Sequence, residues 1–420
     1  MHSVGRKPQA SPESATAFDG RPVHVEIDLS AVSHNVRAIK RWVGPRCNVM
    51  AVVKANGYGL GAVQVAGAAL EGGATWLAVA CVDEGVQLRN AGYDCPMLVL
   101  GYIQQSEAAT VVAYGLTPIV HRVETALALE RAALALGRQA KSVAVHIKVD
   151  TGLGRFGCLP DEFLPLAEKV AALPHLRLQG LMTHFAEADS TDLSFAHEQL
   201  ARFDAVRKRA AERGLRFAVT HASNSAATLA LPEAHFDLVR TGILLSGHLP
   251  AAYLAGKITL RSAVTFRARL ARVYEACIGD TVGYGRTWVA ERPSVVGLVP
   301  AGYADGFRRV LSNKAQVLVR GMRCTVVGRV SMDQFGVDLT DVKGAAEGDE
   351  VILIGRQGDA EITADEIAEW AGTISYEIFT GLAPRVPRRY VRDGETVATC
   401  TLLGCSPSDE PRKGRGGTRK

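Results

Sequence analysis

Lys54 breaks into the apolar run NVMAVVK and is followed at once by ANGYGLG. A lysine among β-branched residues is costly unless it is deprotonated, paired or covalently used. Further along, KVDTGLGRFG supplies Lys148 and Arg155, and MTHFAEAD supplies His184. THASNSA adds His221, Asn224 and Ser225, and LVRTGI adds Arg240, Gly242 and Ile243. Taken singly, each is more often a satisfied structural residue, and Lys54 itself could snorkel to a rim. Taken together they offer an amine for covalent use, several cations, and a hydroxyl with two backbone N–H groups that suit a phosphate.

Each cluster closes a short apolar run, so the elements that position it can be counted. The runs end at Lys54, Cys81 (WLAVAC), Gly101 (PMLVLG), His121 (LTPIVH), Val149 (SVAVHIKV), His184 (LQGLMTH), Ala222 (FAVTHA) and Gly242 (FDLVRTG). Continuous apolar runs suit strands buried on both faces. Between them lie helical segments such as 124–137 and 194–214. Eight such repeats predict an α/β fold, a (β/α)8 barrel of the TIM type, with an open doubly wound sheet as the competitor. Barrels of this kind gather chemistry at the C-terminal strand ends and favour phosphate in the loops after strands seven and eight. A lysine across the barrel from such a cradle suggests an aldimine with pyridoxal phosphate.

After about residue 255 the texture becomes Val- and Gly-rich with alternating runs, which predicts a mainly β second domain. The expected division is a barrel over 21–254, in which 21–32 is a candidate to pair with the β domain, and a β domain over 255–403. Residues 1–20 and 404–420 are expected to be disordered tails, the second of them basic. The β domain contributes Tyr284 in VGYGRTW, Tyr303 in PAGYADG, Met332 and Asp333 in GRVSMDQ, and Tyr376 in ISYEI. Tyrosines at strand ends are usually packing residues. GLGRFG at 152–157 also matches the G-x-G-x-x-G dinucleotide pattern, but only the glycine spacing supports it and nothing else suggests hydride transfer.

Composition narrows the classes. Of 48 basic and 43 acidic side chains in 420 residues, the final PRKGRGGTRK alone carries five basic ones, so the rest is neutral. Nucleic-acid binding by the folded part is not indicated, and the basic end reads as a solvated tail. No stretch is long and apolar enough for a membrane helix, and the N-terminus lacks the apolar middle of a secretory signal. The eight cysteines form no CxxC pair and read as reduced, buried residues of a cytoplasmic protein, with no metal site.

Between about residues 22 and 392 the chain resembles the bacterial alanine racemases, a fold-type III pyridoxal-phosphate family. VVKANGYG, KVDTGLGRFG, THFAEAD, HASNSA, RTGI, GYGRTW, GYADG, SMDQ and ISYEIFTGLAPRVPRRY stand in the family's order. The resemblance implies a cytoplasmic homodimer that interconverts L- and D-alanine, each site completed by the partner's β domain. Lys54 would form the internal aldimine with pyridoxal 5'-phosphate and act on one face of the substrate, and Tyr284 of the partner subunit on the other. Tyr58, Ser225, Gly242, Ile243 and Tyr376 would hold the phosphate, with His184 and Asn224 nearby. Arg240 would contact the pyridine nitrogen and His221 would bond Arg240. Arg155 would bind the cofactor's phenolic oxygen and approach the substrate carboxylate. Lys148 matches a position often carbamylated. Met332, through its N–H, would help bind the carboxylate, with Asp333 beside it. Tyr303, Arg329 and Asp189 match positions lining the access path.

Racemisation removes a proton on one face and returns it on the other, so two bases serve where one does not. Free lysine and tyrosine have pKa values of about 10.4 and about 10, so the site must lower at least one. Gly57 stands where the family usually has Ala, Leu60 where His is common, and Ser331 where Cys is common. The rival readings are a racemase of broader scope, acting on serine for example, a barrel decarboxylase or aldolase with the same cofactor, and a pyridoxal-phosphate carrier without turnover. Tyr284 argues against the last two.

Overall fold

The computed structural model describes residues 21–407. The tails expected at 1–20 and beyond 407 lie outside the described residues. The first strand, β1 (Val23–Asp28), leads into helix α1 (Leu29–Val43), whose start is capped by Asp28 Oδ1 accepting from Ala31 N at 2.9 Å. Eight parallel strands follow: β2 (Asn48–Val52), β3 (Trp76–Val79), β4 (Met97–Val99), β5 (Thr117–Val120), β6 (Val143–Lys148), β7 (Leu176–Met182), β8 (Val219–His221) and β9 (Leu238–Thr241). Consecutive strands pair from β2 to β8, and β9 pairs back onto β2.

The barrel is nearly closed. Between β8 and β9 irregular bonds replace a ladder: Asp237 N to Thr220 O at 3.1 Å and Arg240 N to Ser223 O at 3.0 Å. Inside the barrel Met50, Val52, Trp76, Ala78, Leu98, Ile119, Met182 and Leu238 form a buried cluster. Burial on both faces accounts for the uninterrupted apolar runs of the sequence.

The C-terminal part is a 12-stranded sheet that includes β1. Strand β1 lies between β10 (Val264–Arg269), antiparallel to it, and Arg388–Arg392, parallel to it. The first strand of the chain is thus built into the last sheet, and the joint between the two halves is buried.

Three expectations need correction. Residues 404–407 are not tail but a strand paired with Glu395–Thr401. That hairpin sets Cys400 opposite Cys405 with their Cα atoms 4.0 Å apart, and the two form a disulfide. Of the six free cysteines, Cys81 and Cys277 are exposed rather than buried. Finally, the tyrosines are not at strand ends: Tyr376 lies in the short helix Ser375–Thr380, and Tyr284 and Tyr303 open the single turns Tyr284–Arg286 and Tyr303–Asp305.

Candidate active site

The chain turns sharply after β2. Ala55, Asn56, Gly57 and Tyr58 have φ of 52, 54, 63 and 57°, one left-handed turn that starts beside Lys54. Left-handed backbone costs roughly 1–2 kcal/mol per non-glycine residue, so the surroundings must hold it. Glu84 does part of this, its carboxylate accepting from Ala55 N at 2.6 Å and Ala80 N at 2.7 Å. Asn56 Oδ1 accepts from Ala62 N at 3.0 Å. Gly59 ends the turn, and a Cβ there would lie 2.1 Å from Phe379 O, so the helix Ser375–Thr380 docks directly on this backbone. The docking sets the Tyr58 and Tyr376 rings 6.0 Å apart.

Lys54, Tyr58 and Tyr376 face a cavity of about 870 Å³ at the barrel mouth, within the range of small-molecule sites. Lys148, Arg155, His184, Asp189, Asn224, Ser225, Arg240 and Gly242 line the same space. Burial first, then the Arg155 charge, lowers the Lys54 pKa against the opposing pull of Glu84. Lys148 is 4% exposed, and burial with Arg155 and Arg240 brings it down to about 8. Burial raises Tyr58 to about 12. Tyr376 is raised as well, by burial and then by Tyr58 and Asp189.

Arg240 is 3% exposed, yet no carboxylate pairs with it among the described residues. It donates instead to neutral acceptors: His221 Nδ1 at 2.9 Å, His184 Nδ1 at 3.0 Å, Thr183 O at 2.9 Å and Ala222 O at 2.7 Å. Burial brings its pKa down to about 9. A guanidinium has only donors, so both imidazoles must present lone pairs at Nδ1 and carry their protons on Nε2. Burial and the Arg240 charge keep both rings neutral, far below the ordinary histidine range.

The cradle after β8 and β9 is partly self-satisfied. Gly242 N donates to Ser225 Oγ at 3.1 Å, and Asn224 Oδ1 caps the helix Ser225–Ala230 by accepting from Ala227 N at 2.9 Å. The Ser225 hydroxyl proton remains, as does the Ile243 N–H, for which no backbone acceptor appears among the described residues. Ile243 itself is buried. Gly242 must be glycine, since a Cβ would sit 2.2 Å from Tyr58 Oη. The donor set fits pyridoxal phosphate: hydroxyl and N–H groups for a phosphate, a free amine, and guanidinium N–H groups for an unprotonated ring nitrogen.

The GLGRFG loop cannot cradle a phosphate. Asp150 takes its N–H groups, Oδ1 accepting from Gly152 at 3.0 Å and Gly154 at 3.1 Å and Oδ2 from Arg155 at 2.9 Å.

Tyr284, Met332 and Asp333 are elsewhere. They line a separate cleft of about 360 Å³ with Ser331, sharing no residue with the barrel cavity. Tyr284 is 73% exposed. Arg329 lies against its turn, and the exposed Tyr303 adjoins the Ser331–Met332 loop through its backbone. The Met332 carbonyl accepts from Ala304 N at 3.0 Å and Ser331 O from Tyr303 N at 3.0 Å, which fixes the loop. Arg385 ties it further, pairing with Asp333 at 2.7 Å and with the fully buried Asp305 at 2.8 Å. Sequence reasoning assigned no role to Glu84, nor to Asp150, Asp305 and Arg385, although these three lie within KVDTGLGRFG, GYADG and ISYEIFTGLAPRVPRRY; all four hold the loops of the two clefts.

A nearly closed (β/α)8 barrel with Lys54 and the buried Arg240 lining the cavity at its mouth, followed by a mainly β domain whose helix Ser375–Thr380 reaches back into that mouth, defines a class of two-domain barrel enzyme. The profile for the alanine racemase N-terminal domain matches residues 27–250, and that for the C-terminal domain matches 263–390. The chain belongs to the alanine racemase family. It is 47% identical to the alanine racemase of Symbiobacterium thermophilum over 90% of this chain and 100% of that one. It is 44% identical to that of Carboxydothermus hydrogenoformans over 88% and 100%. The crystal structure of alanine racemase from Bacillus anthracis with bound L-Ala-P superposes with a TM-score of 0.86 at 36% identity, covering 91% of this chain and 98% of that one.

Proposed function

We infer that this chain is a pyridoxal-phosphate-dependent alanine racemase, interconverting L- and D-alanine and supplying D-alanine for peptidoglycan. The carrying observation is the pairing of Lys54, its pKa lowered, with Arg240, a buried cation held only by neutral acceptors, in one cavity. When bound, pyridoxal phosphate supplies the electron sink that makes the alanine Cα–H acidic. Ser225, Ile243, Gly242, Tyr58 and Tyr376 would hold its phosphate, beside Asn224 and His184. Arg240 would donate to the ring nitrogen and disfavour its protonation, because a second cation facing it would be repelled. Arg155 would bind the phenolic oxygen and the substrate carboxylate.

Lys54 Nζ, its pKa lowered by burial, takes or returns the α-proton on one face. The opposite face needs a second base. Tyr284 cannot serve from its own chain's cleft, so the second base is Tyr284 of the partner subunit, brought in by a homodimer together with the Met332 N–H and Asp333. Tyr303, Arg329 and Asp189 line the way in. Lys148, buried and within reach of the Arg155 charge, is the candidate for carbamylation, which would give that arginine an anion to pair with. A cytoplasmic setting accords with the six free cysteines, while the Cys400–Cys405 bond runs against it. Among the described residues no helix is long and apolar enough to cross a membrane.

The test is exchange at Cα of L-alanine in D2O with added pyridoxal phosphate, followed by chiral analysis. Deuterated D-alanine that vanishes in Lys54→Ala and Tyr284→Phe is the expected result. No exchange on alanine, with exchange on another amino acid, would move the substrate assignment, and none on any would leave the carrier.

A further inference from the structure

Strand β7 departs from regular pairing deep inside the barrel. Val145 of β6 faces Leu178, but the next residue, His146, faces Gly180, so Gln179 is an extra, bulged residue. Bulges are rare between parallel strands, and near active sites they re-aim side chains. Gly180 completes the device. A Cβ there would lie 2.4 Å from His146 Cγ and Nδ1, inside the ring's own space. Bulge and glycine together open a seat for one imidazole, which is fully buried beside Trp76, the ring centroids 5.5 Å apart.

That imidazole continues the chain of bonds that ends at the cavity. His146 Nδ1 lies 2.9 Å from His221 Nε2, and His221 Nδ1 accepts from Arg240 at 2.9 Å. Because Arg240 can only donate, the His221 proton sits on Nε2 and needs an acceptor there. His146 supplies one only if its Nδ1 is bare and its own proton is on Nε2. His146 Nε2 and Gln179 Oε1 are both buried, and neither has a hydrogen-bond partner among the described residues. Burial brings the His146 pKa down to about 3, so the ring is neutral and carries one proton, with Gln179 pulling the other way. With these tautomers the N–H groups of His221 and His146 both point away from Arg240.

We propose that His146 is a positioning residue that locks the tautomer of His221 and through it aims the Arg240 guanidinium into the cavity. The proposal rests on the reading of Arg240 as the cofactor contact. With the lock gone, His221 can carry its proton on Nδ1, where it opposes the Arg240 N–H, and the guanidinium loses a fixed acceptor and turns.

The test uses full-length protein labelled with ¹⁵N-histidine and freed of cofactor, so that it reads the His146–His221–Arg240 chain whatever the substrate proves to be. In the parent, a nitrogen–nitrogen coupling across the bond should place the proton on His221 Nε2. A proton on His146 Nδ1 or on His221 Nδ1 would overturn the proposal with no variant needed. His146→Phe keeps a ring for the seat and removes both nitrogens. It should move His221 toward a mixture of tautomers and weaken pyridoxal phosphate binding by roughly tenfold, the scale of one buried hydrogen bond. Should it fail to fold, Gln179→Met loosens the far end and should shift both readouts the same way. Unchanged His221 nitrogen shifts together with unchanged cofactor affinity, in whichever variant folds, would sink the idea. A lock that shows in the spectra while alanine exchange is absent would instead fault the racemase reading.

Discussion

Lys54 stands just before one left-handed turn, Tyr58 is its last non-glycine residue, and both line the same cavity. A right-handed turn or an extended link would send one of the two away from it. The strain in Ala55, Asn56 and Tyr58 is held by Glu84, Asn56 and the helix Ser375–Thr380, so the β domain takes part in placing the lysine.

Gly57 eases that turn. Its φ is 63°, and a Cβ would come within 3.2 Å of Ala62 N and Cα. Gly57→Ala should lower stability by about 1–2 kcal/mol, since alanine is strained there and the neighbour must give way. Chemical denaturation would measure it, and no loss would mean that the turn relaxes freely.

Lys148 makes stability depend on pH in a calculable direction. Its folded-state pKa is depressed to about 8 from 10.5. Below about pH 8 the amine is charged in both states, and its burial counts fully against the fold. Between the two values the unfolded chain binds more protons, so stability rises with pH by as much as about 3 kcal/mol. In buffer free of carbon dioxide, Lys148→Met should be the more stable protein near neutrality and should flatten that rise. Urea titrations at about pH 7 and about pH 10 would show it, and a parental slope in the variant would refute it.

Two inactive variants should rescue each other if the site is shared. In a mixed dimer of Lys54→Ala and Tyr284→Phe, one site loses both bases and the other keeps both. Random mixing should restore about a quarter of parental activity, because half the dimers are mixed and each has one good site. Each variant alone should fall by about 10²–10⁴-fold, the usual worth of a positioned acid or base. Absence of rescue after verified exchange of subunits would count against a partner tyrosine.

Arg240 should govern side reactions. Replacing it with Glu allows the ring nitrogen to be protonated, which strengthens the electron sink and lengthens the life of the deprotonated substrate. Racemisation should fall by about 10²-fold or more, while pyruvate formation per turnover should rise. Chiral analysis and a pyruvate assay on the same samples would decide, and unchanged partitioning would remove the electrostatic argument.

Much of the architecture was legible in the residues themselves. Parallel strands in a barrel bring their C-terminal ends to one rim, so polar clusters at the ends of apolar runs must meet there once the repeats are counted. Lys54, Lys148, His184, His221, Ser225 and Arg240 could be grouped on that ground alone. Asn56-Gly57 tolerates positive φ, but the full left-handed turn after Lys54 was not legible, because Ala55 and Tyr58 do not favour positive φ and only tertiary contacts hold them in it. The Gln179 bulge and the His146 seat were equally silent, since a bulge is a relation between two strands rather than a pattern in one. The same holds for the Cys400–Cys405 bond, which depends on hairpin register. Order and identity of the chemical groups are properties of the chain. Which nitrogen carries a proton, which N–H stays free for a ligand, and which tyrosine lies outside its own chain's cavity follow from distances that only the folded packing sets.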